Sequence, residues 1–61
     1  MTYQQHYATF VTKAKNYSAA MCERAIADCH QTLQLINDPA YVVKLWAEID
    51  AMRWRLSCLR G

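Results

Sequence analysis

With 61 residues the chain is one domain at most, and its 54% of hydrophobic side chains exceeds what two short helices can hide in each other, so self-association is expected. Seven Lys or Arg against five Asp or Glu give a formal charge of +2, spread along the chain and too weak to argue for nucleic acid by itself. No apolar run approaches the roughly 20 residues of a membrane-spanning helix. The start Met-Thr-Tyr-Gln-Gln-His lacks a basic then apolar leader, and three cysteines form no close pair, so a soluble protein of a reducing cytoplasm without disulfides is expected.

Thr2 followed by Gln5 has the spacing of a capping box and predicts a helix start. From there Tyr3, Tyr7, Phe10, Ala14, Ser18, Met21, Ala25, Cys29, Leu33 and Ile36 recur at a mean of about 3.7 residues, the period of a nearly straight helix. A second line through Val11, Tyr17, Cys22, Ile26 and Leu35 makes this helix apolar on more than one side. Helix one is therefore expected over about 3–36, with Asn16-Tyr17-Ser18 as a tolerable place for a bend.

Asn37-Asp38-Pro39 is the strongest local signal. Asn37 suits a left-handed residue after a helix end, Asp38 an N-cap, and Pro39 a first helical position where its missing donor is harmless. Helix two, about 39–59, carries Val42, Leu45, Ile49, Met52, Leu56 and Leu59 at alternating spacings of three and four, a heptad seam. At 1.5 Å per residue helix one outruns helix two by roughly 20 Å. Its overhang holds Tyr3, Tyr7, Phe10 and Val11, poorly placed in water, so another subunit is expected to cover them. The expected fold is all-α: a two-helix antiparallel hairpin, residues 1–61 as one domain, assembling into an intertwined homodimer or homotrimer. Its interface is expected to draw on Tyr3, Tyr7, Phe10, Met21, Leu33, Ile36, Val42, Leu45, Trp46, Ile49, Met52, Leu56 and Leu59.

Trp54 falls opposite the seam and Trp46 on its flank, and Val43, Ala47, Trp54 and Cys58 form a second stripe. An outward tryptophan there fits an oligomer contact better than an anchor for a foreign partner. Arg53-Trp54-Arg55 is the candidate partner-binding group. With Lys13, Lys15 and Arg60 it also supports a runner-up reading as a nucleic-acid-binding hairpin in which Trp54 stacks on a base. The ordinary explanation is stronger: cations in a last turn oppose the helix dipole, and Asp50 is spaced to pair with Arg53.

Cys22 and Cys29 lie about 10 Å apart along a helix, and Cys29 and His30 point about 100° apart, so no metal site is expected and both cysteines read as small core residues. Glu23, Asp28, Glu48 and Asp50 are spaced for ion pairs such as Arg24 with Asp28 and Lys44 with Glu48. No nucleophile with a positioned base and no phosphate-cradling loop is present, so neither catalysis nor a cofactor is expected.

The stretch 17–56, reading YSAAMCERAIADCHQTLQLINDPAYVVKLWAEIDAMRWRL, contains ADCHQTLQLINDPAYV at 27–42 and KLWAEIDAMRWRL at 44–56. On these words, about half of the chain, it resembles the small early proteins encoded between the exonuclease and excisionase genes of lambdoid bacteriophages, including Shiga-toxin-converting ones. The resemblance implies a cytoplasmic phage protein made early in infection or prophage induction, two helices in an oligomer, and an influence on lysis, lysogeny and host replication. It carries no motif with an attached role, so it transfers no functional residue. The function expected is recognition of a host or phage protein.

Overall fold

A computed structural model describes residues 1–61 and contains three helices and no strand: α1 (Tyr3–Ala14), α2 (Ala19–Leu33) and α3 (Pro39–Arg60). The expected first helix over about 3–36 is thus two helices, and the reason lies in the hydrogen bonds at the break. In an unbroken helix the Met21 amide would donate to the Tyr17 carbonyl. Here it donates to the Ser18 hydroxyl at 3.2 Å, with Ser18 as an extended N-cap, while the freed Tyr17 carbonyl accepts from Arg55 Nε at 3.2 Å. Asn16 and Tyr17 close the end of α1 with tighter bonds to the Lys13 and Ala14 carbonyls.

The capping box of α1 is formed: the Gln5 amide donates to Thr2 Oγ1, and the Thr2 amide to Gln5 Oε1 at 2.8 Å. Asp38 caps α3 by accepting from the Ala40 amide at 3.0 Å, with Pro39 in the first helical turn. Asn37 does not take the left-handed conformation; no residue but Gly61 has positive φ. α2 stops earlier, at Leu33, in a tightened turn where the Gln34 and Leu35 amides bond to the Gln31 and Thr32 carbonyls.

α3 is the central helix: α1 and α2 each pack on it. At about 100° per residue its side chains fall into three faces. Leu45, Ile49, Met52 and Leu56 share one face, and all four are buried. α2 covers it, running opposite to α3: Glu23 near one end bonds to Arg60 at 2.9 Å, and His30 near the other meets the Trp46 ring edge-on at 5.6 Å. Cys22, Met52 and Leu56 form the centre of this core, with Phe10, Tyr17, Ala25, Ile26 and Cys29 packed around them.

Ala47 and Ala51, both fully buried, lie about 150° away on a second face. The side where they lie is the side of α1, whose Tyr3 hydroxyl donates to Asp50 Oδ2 and whose Ala14 is also fully buried. Small residues let the two backbones come close. Folding back in this way half-buries Tyr7, Phe10 and Val11 within one chain, where a second subunit had been expected to cover them. The molecule is flat, with extents of 34 × 22 × 14 Å.

Candidate functional site

The third face of α3 is covered only at its edges, where His30 of α2 meets Trp46 and Tyr3 of α1 bonds to the half-buried Asp50. Trp46, Asp50, Arg53 and Ser57 follow one another at steps of four, three and four and run down its middle, with Val43 and Trp54 beside them. Trp46 remains 42% exposed and Trp54 37%, and Val43 and Arg53 are exposed too. The middle of the face is mixed, with charged Asp50 and Arg53 between Trp46 and Ser57, but two indole rings and Val43 left partly in water on one side of a helix are costly. Tyr3, stacked on Tyr7 with ring centroids 6.2 Å apart, continues that side onto α1.

The expected pairing of Asp50 with Arg53 does not form, because Asp50 accepts from Tyr3. That bond, then desolvation and the carboxylate charge, push the Tyr3 phenol up to about 12. Arg53 has no ion pair. Arg55 is half-buried and spent on the Tyr17 carbonyl, and Arg60 pairs with Glu23, so Arg53-Trp54-Arg55 does not act as one cationic group. Lys13 sits over the Phe10 ring at 5.7 Å and Lys15 is exposed at the end of α1.

The expected interface residues divide by location. Leu45, Ile49, Met52 and Leu56 are buried within one chain, and Tyr7, Phe10, Leu33, Ile36 and Val42 are half-buried. Tyr3, Met21, Trp46 and Leu59 are exposed, as are Leu35 and Tyr41. The structure brings Tyr3, Trp46 and Trp54 to the open side of α3 and leaves Met21 on α2.

Lys44 and Glu48 form the expected ion pair at 3.9 Å, in an open cleft of about 540 Å³ whose walls also hold Met1, His6, Thr9, Phe10 and Lys13; Arg24 and Asp28 form none. Burial pushes the Cys22 thiol up, and so it does the Cys29 thiol, with Glu48 and Asp28 adding to the second; Cys58 is exposed. No three His, Cys, Asp or Glu side chains are grouped to hold a metal ion, and no helix is long and apolar enough to cross a membrane. Compared with protein-family models, curated proteins and solved structures, the chain matches none of them.

Proposed function

We propose that the chain is a non-enzymatic regulator that acts by protein–protein contact. In line with its resemblance to lambdoid early proteins, it works in the cytoplasm of a phage-infected or lysogenic bacterium and biases the choice between lysis and lysogeny or the response to induction. In this reading the α2–α3 pair is the helical hairpin, α1 completes it, and copies assemble into a bundle as a dimer or trimer. A host or phage protein is recognised on the surface that the assembly leaves open. The observation that carries protein contact is the pair of partly exposed tryptophans on the open side of α3, because tryptophans are enriched where proteins meet, whether the other protein is a copy of this chain or a different partner.

The test is made in a lysogen. Supplying the wild-type chain is expected to change the fraction of cells that induce at a fixed low dose of DNA damage several-fold. A Trp46→Glu, Trp54→Glu chain, shown to be helical, is expected to leave that fraction at its level without the protein. Equal effects of the two chains, or none from wild type, would refute the reading. The nucleic-acid alternative is disfavoured by the engagement of half-buried Arg55 with the Tyr17 carbonyl, which takes one cation from beside Trp54, and by the division of Lys13, Lys15, Arg53 and Arg60 between two helices.

A further inference from the structure

We infer that the open face of α3 pairs with the same face of a second copy, the two helices running antiparallel about a twofold axis that passes between residues 51 and 52. The inference rests on the reading above, in which this face is a protein contact, and it names the occupant and the register.

Three observations carry it. The residues along the middle of the face, Trp46, Asp50, Arg53 and Ser57, are spaced four, three and four, a pattern that reads the same from either end. Laid antiparallel on itself, the stripe therefore places Trp46 of one copy against Ser57 of the other and Asp50 against Arg53, each contact occurring twice. Laid parallel, it would set Asp50 on Asp50 and Arg53 on Arg53, two like-charge contacts, so charge selects the antiparallel arrangement. The small Ser57 side chain leaves room for the large indole opposite it. The charged groups are also available for the pairing. Asp50 is half-buried and uses Oδ2 for Tyr3, with no bond inside the chain to Oδ1, and Arg53 is exposed with no ion pair in its own chain. The molecule is flat, so two copies can meet face to face along α3 with α1 and α2 at the sides.

The experiment is light scattering and circular dichroism of the full chain across concentration, with charge variants alone and mixed. Wild type is expected to reach twice the 7.1 kDa chain mass. Arg53→Glu sets acidic groups against each other twice, and the variant is expected to fall to the single-chain mass with its helix content unchanged. Asp50→Lys sets cations against each other and is expected to do the same. An equimolar mixture of the two is expected to recover the dimer, because each chain then offers the charge the other lacks.

Because Asp50→Lys also removes the Tyr3 bond, a second measurement avoids that residue. Trp46→Cys and Ser57→Cys chains, each also carrying Cys58→Ser, are expected to form a mixed disulfide on mild oxidation in preference to either self-linked pair. A wild-type chain of single mass at every concentration would overturn the inference, as would a dimer indifferent to Arg53→Glu or a mixture without preference for the 46–57 link. If those results appear while Trp46→Glu, Trp54→Glu still silences the effect in the lysogen, the face belongs to a different protein and the functional reading stands.

Discussion

Single hydrogen bonds decide where this chain bends and where its first helix is tied down. The Ser18 hydroxyl and the Arg55 guanidinium take over the amide and carbonyl that an unbroken helix would have joined, which makes a turn out of a segment with neither glycine nor proline. The Tyr3 hydroxyl, donating to Asp50, fastens the start of α1 to α3. A phenol pushed up to about 12 holds its proton more tightly in the folded chain than in the unfolded one, where it leaves near pH 10. The bond therefore contributes fully below pH 10, and its contribution is lost as pH rises from 10 through about 12. Melting temperatures followed by circular dichroism are expected to fall over that interval more steeply for wild type than for Tyr3→Phe. Parallel curves would show that the bond does not matter.

Among the elements, α3 explains what could and could not be read beforehand. Its N-terminus was legible because Asp38 and Pro39 act through their own chemistry, whatever surrounds them, and the same holds for Thr2 with Gln5. The middle of the heptad seam, Leu45, Ile49, Met52 and Leu56, was legible because large apolar residues at that spacing favour burial, but its ends were not: Val42 is half-buried and Leu59 stays exposed. The break after Ala14 was legible only as a tolerable bend at Asn16-Tyr17-Ser18, since the apolar stripe of α1 runs on in register through α2, and periodicity alone cannot tell one bent helix from two that turn at a capping serine. With the full break hidden, the return of α1 onto α3 was hidden too, and Ala47 and Ala51 gave no sign of being a packed face. Volume there is limiting. Ala51→Leu is expected to lower stability by about 1–3 kcal/mol in urea unfolding through overpacking, whereas Leu59→Ala, at an exposed site, is expected to change it by less than about 0.5 kcal/mol. Equal effects would mean that α1 does not press on α3.

At the scale of the whole molecule, the surplus of apolar residues that composition announced is real but differently placed. Of the expected interface, Leu45, Ile49, Met52 and Leu56 are buried within one chain and Tyr7, Phe10, Leu33, Ile36 and Val42 are half-buried; of the exposed remainder Tyr3 and Trp46 lie on the open side of α3, whereas Met21 sits on α2 and Leu59 on another side of α3. That both tryptophans lie off the buried seam was visible in the sequence; that Asp50 would turn to Tyr3 and leave Arg53 without an ion pair depended on the return of α1 and was not. The proposed division of labour gives one chain its own three-helix core and leaves the open face for contact with other proteins. It is tested most directly by sedimentation of the Trp46→Glu chain, with helix content measured on the same sample. The expected result is a single chain that no longer associates yet keeps its helices and melts cooperatively. A chain that unfolds as it dissociates would contradict it, because the core would then belong to the assembly and not to the monomer.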